Sequence, residues 1–170
     1  MKKYFIFISL AFISSLVYAQ NVEDMPCSEE LKALGKSVFE NIQNKNFSEY
    51  QKYIVTEENV DTMAKYIDIT PEMIEITKRS VRYSNDISKK QFNDVLKQGR
   101  KQGIDWAKAE LTDFMCEIDE AKDAPRGDLV LLGKYNDTMF MIELNAVVIK
   151  SYLSEKWLLF GKVKLYIHRE

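Results

Sequence analysis

Residues 103–120, GIDWAKAELTDFMCEIDE, decide the fold of this chain because two secondary structures compete for them. A helical period places one set of apolar side chains on a common face. That set is Ala107, Leu111, Phe114 and Ile118. A strand period of two groups a different set, namely Trp106, Thr112, Phe114, Cys116 and Ile118, with Lys108 and Glu110 as exceptions. Periodicity alone does not choose between the two, and the choice determines whether a sheet begins here.

The residues after this stretch, 127–168, predict three antiparallel strands. The runs rich in Leu, Val, Ile, Phe and Tyr are Asp128–Tyr135, Thr138–Lys150 and Lys156–His168. In the second run, even-numbered side chains from Phe140 to Val148 alternate with odd-numbered ones from Met139 to Val147. This period of two predicts one buried and one wetter sheet face. Asn136-Asp137 fits a two-residue hairpin turn, although it lacks the favoured Gly.

The residues before the stretch, 20–103, predict helices. Ser28 is a favourable N-cap, and the two glutamates after it complement the positive end of a helix. Further helix signals are a capping box at Ser48 and Gln51, a helix over Glu57–Tyr66, and a start at Thr70-Pro71. From Pro71 the helical pattern continues to about Gln102 with one weak break at Ser84–Asp86, which indicates one or two helices.

Composition excludes several classes of protein. The chain has 170 residues, which suits a single domain. Its 24 basic and 26 acidic side chains disfavour a non-specific nucleic-acid binder, and we expect no nucleic-acid partner. One His and two Cys are too few for an ordinary zinc site. Phosphate-binding and catalytic sequence motifs are absent, so we expect no metal, no cofactor and no assigned catalytic residue.

The first nineteen residues have the three parts of a secretory signal peptide. Lys2 and Lys3 precede an apolar run over Tyr4–Val17, which is too short to span a bilayer as an anchor. Small residues then place a cleavage site between Ala19 and Gln20. We therefore expect a leader over 1–19, an N-terminal segment over 20–27 and one domain over 28–170. The mature protein is expected to be exported, periplasmic or secreted, without membrane association.

Three segments resemble NTF2-like (cystatin-like, cone-shaped α+β) domains, in particular small secreted bacterial members. They are Asn41–Tyr50 after the first helix, Gly103–Trp106 before an alternating run, and Lys156–Val163 with its Lys-Trp pair. The resemblance implies an α+β fold with helices over 28–103 and a curved, four-stranded antiparallel sheet over 104–168. It also favours a strand for the deciding stretch. The long helical region after Pro71 exceeds the minimal family pattern.

The two cysteines, Cys27 and Cys116, leave two interpretations open. An even number in an exported chain favours a disulfide, which would close a separation of 116 − 27 = 89 residues. The alternative is two separate buried thiols, because Cys often serves as a small core residue.

A pocket inside the cone is one candidate site. Aromatic side chains proposed to line it are Tyr50, Tyr53, Tyr66, Trp106 and Tyr135. The resemblance implies that some such folds pair a carboxylate base with Tyr, and the strand carboxylates available here are Asp113 and Glu143. The competing interpretation is that the tyrosines and Trp106 are core residues and that both carboxylates are solvated.

An apolar patch on the outer face of the sheet is the other candidate. Its members would be Met139, Met141, Val147, Leu158 and Phe160. Such a patch marks a partner or homodimer surface, unless the long helices cover it. We therefore expect a non-catalytic binding module for a small apolar ligand or a protein. The alternatives are an isomerase- or dehydratase-like enzyme, and a protein-binding inhibitor that uses the turn over Ser151–Glu155.

Overall fold

The computed structural model describes residues 27–119, 126–150 and 155–168. The leader, the Ala19–Gln20 cleavage site and most of the turn over 151–155 lie outside the described residues. Helices come first along the chain and strands follow, which confirms the predicted α+β class.

The first helix, α1, spans Glu29–Gln43 and begins as the sequence predicts. The hydroxyl of Ser28 accepts a hydrogen bond from the backbone N–H of Leu31 at 3.2 Å. The predicted capping box at Ser48 and Gln51 is wrong. Helix α2, Phe47–Tyr50, is instead capped by Asn46, whose side chain accepts from the Glu49 N–H. Asn46 lies two residues before Ser48, so the helix begins earlier than predicted and its first unpaired N–H groups find a partner there.

Two more helices follow a short 3₁₀ turn at Gln51–Tyr53. Helix α3 spans Glu57–Met63 and is shorter than the predicted Glu57–Tyr66. Helix α4, Pro71–Lys101, starts at the predicted Thr70 cap and is one uninterrupted helix. With 31 residues it is roughly 46 Å long at 1.5 Å per residue. That length lets it contact two separate parts of the sheet.

The deciding stretch becomes a 3₁₀ turn followed by a strand. The turn covers Trp106–Lys108, and β1 covers Glu110–Asp119. The strand prediction is confirmed, but Trp106 lies in the turn and not on the strand face where the period-two pattern placed it. Thr112, which the pattern placed on the same face, is exposed at the register shift between Leu111 and Asp113. In β1, Phe114, Cys116 and Ile118 point towards the helices.

The remaining strands are β2, Arg126–Tyr135, β3, Thr138–Lys150, and β4, Glu155–His168. They form a four-stranded antiparallel sheet in the order β1-β2-β3-β4, as predicted. The register shifts between Leu111 and Asp113 and again between Leu144 and Ala146. Such bulges add twist and help an unclosed sheet to curve around the helices.

The helices pack on both faces of the sheet, but unequally. The inner face holds the main core with α1, α2 and the second half of α4. The outer face holds a smaller cluster at one end, formed by Val55, Val60, Val81 and Leu158. Helix α4 passes from one cluster to the other near Gly161, whose N–H donates to the Ser84 hydroxyl at 3.2 Å. Gly161 has a φ of 103°, which side-chain-bearing residues rarely adopt.

Candidate functional site

The inner core occupies the place where a pocket was predicted. Trp106 and Tyr50 are each only 1% exposed. The Trp106 indole N–H donates to the Leu96 carbonyl at 3.2 Å, and its ring meets Phe140 edge-on at 5.3 Å between centroids. Tyr50 packs against Phe92 with centroids 4.9 Å apart. Burial raises the pKa of the Tyr50 hydroxyl well above its usual value. These two aromatic residues serve as core.

The other three predicted pocket residues are dispersed. Tyr66 lies on the surface and is 48% exposed. Tyr135 is half-buried against the main core. Tyr53 is half-buried and, with Trp157 and Leu34, lines a small groove of about 260 Å³ beside α1. The structure therefore does not bring the five aromatic side chains together around one cavity.

The two candidate carboxylates lie on the outer face of the sheet. Asp113 is exposed and accepts a hydrogen bond from the N–H of its neighbour Phe114 at 2.8 Å. Glu143 accepts from the hydroxyl of Tyr166 at 2.8 Å, so a carboxylate–tyrosine pair does exist. Tyr166 is 43% exposed, however, and water therefore reaches this pair. Among the residues that the structure describes, the buried polar side chains are those of Ser84 and Ser88, and no carboxylate is buried.

Cys27 and Cys116 form a disulfide with their Cα atoms 5.3 Å apart. The bond joins the residue before the cap of α1 to the middle of β1. Both cysteines of the chain are used, so neither supplies a free thiol.

The uncovered part of the outer face carries a contiguous apolar surface that we call the methionine patch. Its members are Met115, Val130, Leu132, Met139, Met141 and Tyr166. The strand register places them side by side: Met115 pairs with Val130, and Leu132, Met141 and Tyr166 form one row across three strands. The exposed fractions are 56% for Met115, 44% for Met139 and 39% for Met141. Val130 and Leu132 are partly exposed.

The predicted patch is thus divided into two parts. Met139 and Met141 are exposed, whereas Val147, Leu158 and Phe160 pack in the smaller cluster beneath α3 and α4. Two ion pairs hold the covering helices together: Arg82 with Glu57 at 2.8 Å, and Lys78 with Asp61 at 2.6 Å. The pKa of Lys78 and that of Arg82 are raised, in each case chiefly by the hydrogen bond to the partner carboxylate.

The predicted patch did not include Met115, Val130, Leu132 or Tyr166. The Asn136-Asp137 turn sets the register that places Leu132 beside Met141, and this register was available from the predicted hairpin. The alternation along β4 already places Tyr166 on the outer face, and the irregularity between Leu144 and Ala146 decides only that its neighbour on β3 is Met141.

A shallow groove of about 580 Å³ borders the methionine patch at its covered end. Val147 and Phe160 contribute its apolar part, and a hydrogen bond between Asp128 and Asn145 lies beside them. Charged side chains at its margin are Glu117, Arg126 and Lys162.

Comparison of the chain with protein-family models, with curated proteins and with solved structures finds no match. None of the helices with described positions combines the length and the apolar composition needed to cross a bilayer. Within the described ranges, no three His, Cys, Asp or Glu side chains are arranged to hold a metal ion.

Proposed function

We propose that this chain is an exported, non-catalytic binding module that contacts a protein partner through the methionine patch. The observation that carries the proposal is the exposure of Met115, Met139 and Met141 on one sheet face, where Val130 and Leu132 of β2 lie between Met115 and the other two. Contiguous exposed apolar surface is unfavourable in water and is typical of interaction sites. Methionine is flexible and polarizable, and is enriched at surfaces that adapt to partners.

Packing inside the cone favours the outer face over an internal ligand site. Trp106, Phe140, Phe92 and Tyr50 fill the interior with ring-to-ring contacts. The carboxylate–tyrosine pair formed by Glu143 and Tyr166 is open to water, and a general base of raised pKa usually needs a drier site. Both observations support binding in preference to catalysis.

Export and family membership are further parts of the proposal. A disulfide is typical of proteins that fold in an oxidising compartment, which supports export. Removal of a leader over 1–19 and a mature start at Gln20 rest on the three-part signature of the first nineteen residues. The order of helices followed by a four-stranded antiparallel sheet is compatible with an NTF2-like fold and supports the resemblance.

Site-specific photo-crosslinking in the native host tests the proposed surface. A photoreactive amino acid replaces Met141 in one variant and Tyr83 in the control variant. Tyr83 is 66% exposed on α4, on the surface outside the methionine patch. We expect a crosslinked protein adduct from position 141 and none from position 83. Absence of an adduct at position 141, or equal adducts at both positions, would contradict the proposal.

A further inference from the structure

A groove of about 250 Å³ runs between the second half of α4 and the edge of β4. On the strand it is lined by four consecutive residues, 163–166. Since successive side chains of a strand point to opposite faces, a groove lined by consecutive residues follows the backbone edge of the strand. On the helix its lining residues form one stripe, namely Gln91, Asp94, Val95 and Gln98. The strand segment and the helix stripe are each about 10 Å long.

The edge of β4 beside this groove forms no backbone hydrogen bond with any other part of the chain that the structure describes. β4 is the last strand of the sheet, and its edge is paired only earlier along the chain. There the Val55 N–H donates to the Leu159 carbonyl at 3.0 Å, and the Gly161 N–H donates to the Ser84 hydroxyl at 3.2 Å. Beyond Gly161, alternate residues direct their N–H and C=O groups away from β3. Such an edge can accept a strand from another chain.

Gln91, which lines the groove, has an unsatisfied hydrogen-bonding group. Its side-chain oxygen Oε1 is buried and accepts no hydrogen bond from any described residue. Buried polar atoms without a partner are rare in native proteins, and they are unfavourable. A backbone N–H of a bound peptide would supply the missing donor, because the oxygen of a Gln amide accepts such a bond. The helix and the strand can therefore both hydrogen-bond to an extended backbone that lies between them.

Basic side chains border the groove, although the chain as a whole has 26 acidic residues against 24 basic ones. Asp94, the acidic residue of the lining, is paired with Lys90 at 2.9 Å. Lys97 and Lys101 lie about one and two turns beyond Asp94 on the same side of α4, and Lys164 lies on β4. These three lysines are exposed and form no ion pair with another described residue. The local charge is therefore positive and favours an acidic occupant.

We propose that this groove binds an extended acidic peptide segment of another protein, whose backbone adds to the edge of β4 and hydrogen-bonds to Gln91. Acidic side chains of the segment contact Lys97, Lys101 and Lys164. A peptide fits better than another polyanion because both walls of the groove offer groups that pair with a backbone amide. The site is separate from the methionine patch, although Tyr166 belongs to both, and the inference does not depend on the function proposed for that patch.

Fluorescence anisotropy with labelled heptapeptides tests the chemistry of the occupant. The probe peptide alternates Glu and Val, which supplies acidic side chains on an extended backbone. One control peptide has Lys in place of Glu, and the other keeps the Glu–Val sequence with N-methylated backbone nitrogens. We expect the purified protein to bind the Glu–Val peptide, and each control peptide at least about tenfold more weakly. No binding of the Glu–Val peptide, or equal binding of either control, would overturn the proposal.

Gln91→Leu separates a binding role of this residue from a structural one. The substitution replaces an unsatisfied buried amide by an apolar side chain of similar size, so the thermal midpoint of the free protein should not fall. The affinity for the Glu–Val peptide should fall roughly fivefold, because the peptide loses a hydrogen bond. Unchanged affinity, or a midpoint that falls together with the affinity, would contradict the role given to Gln91.

A pair of neutralised variants tests the basic border. The double variant Lys97→Gln, Lys164→Gln removes one charge from each wall, and Lys36→Gln, Lys65→Gln removes two exposed charges outside the groove. We expect the first variant to bind the Glu–Val peptide about tenfold more weakly than the native protein at low salt, and the second to bind it as the native protein does. Equal affinities of the two variants would show that the charges of the groove do not select the peptide.

Nuclear magnetic resonance locates the bound peptide. Titration with the Glu–Val peptide should shift the backbone amide resonances of residues 163–166. Those of β1, Glu110–Asp119, belong to the opposite edge of the sheet and should stay unchanged. Shifts at β1, or shifts confined to the methionine patch, would place the peptide elsewhere and overturn the proposed site. The crosslinking result at position 141 is independent of this outcome.

Discussion

Tyr50 shows how a residue singled out as a pocket candidate came to serve the core. Its ring is the larger part of the side chain, and contacts with Phe47 and Phe92 bury it almost completely. The sequence placed Tyr50 on a short helix, but it contained no sign of whether the ring would face a cavity or other rings. Burial of the hydroxyl penalises its ionised form and so raises its pKa.

This raised pKa predicts loss of stability at alkaline pH. Tyr50 ionises in the unfolded chain near its ordinary value of about 10 but not in the folded protein at that pH. Its contribution is therefore complete below about pH 10 and decreases by up to roughly 1.4 kcal/mol per pH unit above it. Urea unfolding at a series of alkaline pH values should show a smaller decrease for Tyr50→Phe than for the native chain. Tyr66→Phe, at an exposed position, is the control and should keep the native pH dependence.

Gly99 of α4 is a second residue whose role depends on close packing. A Cβ at this position would overlap the indole ring of Trp106, which is fixed by its hydrogen bond to Leu96. We expect Gly99→Ala to destabilise the protein by about 1–3 kcal/mol, because overpacking outweighs the gain in helix propensity. Lys97→Ala, at an exposed position on the same helix, should change stability by less than about 0.5 kcal/mol. If Gly99→Ala and Lys97→Ala unfold at the same temperature, the proposed overlap with Trp106 is wrong.

At the level of elements, the deciding stretch became a strand for reasons that lie outside its own sequence. Its backbone groups pair with β2 over most of its length, and Cys116 is bonded to Cys27. The periodicity of a local stretch of sequence contains no information about either interaction. The structure shows the predicted strand, but Trp106 does not lie on it because a short 3₁₀ turn precedes the strand.

The disulfide between α1 and β1 should contribute strongly to stability. In the chain-entropy model a closed loop of 89 residues is worth roughly 4–5 kcal/mol. We expect the Cys27→Ala, Cys116→Ala double variant to unfold at a clearly lower denaturant concentration than the native chain. Reductant should lower the midpoint of the native chain and leave that of the double variant unchanged. If the native chain and the double variant unfold at the same denaturant concentration without reductant, the disulfide contributes little to stability.

The first half of α4 depends on a small cluster that packs separately from the main core. Val81 is buried there among Val55, Val60 and Leu158. Val81→Ala should cost roughly 2 kcal/mol through lost burial and a residual cavity. Hydrogen exchange should then increase first in α3 and in the early turns of α4, while later turns near Phe92 stay protected. Tyr83→Ala is the control and should leave exchange unchanged.

Across the whole molecule, the outer face is divided by the path of one long helix. The alternation of side chains in the sequence predicts this face, and it leaves open whether the face is exposed or covered by helices. Both occur, and the alternation does not predict this because the division depends on where α4 crosses β4, close to Gly161 and Ser84. Its length of 31 residues suffices to reach both clusters, but no local pattern fixes the crossing point.

We expect the exported protein to have lost its leader and to contain the disulfide between Cys27 and Cys116. If the leader is removed at Ala19, the purified protein has 170 − 19 = 151 residues, and intact mass spectrometry should find it two hydrogens lighter than its reduced form. The same 151 residues produced in a reducing cytosol should carry two thiols. This sample should unfold at a lower denaturant concentration than the exported protein, because it lacks the disulfide between Cys27 and Cys116. Oxidation of that sample after purification should restore the native midpoint. A full-length mass from the native host would contradict leader removal, and free thiols in the exported protein would contradict the structural role given to Cys27 and Cys116.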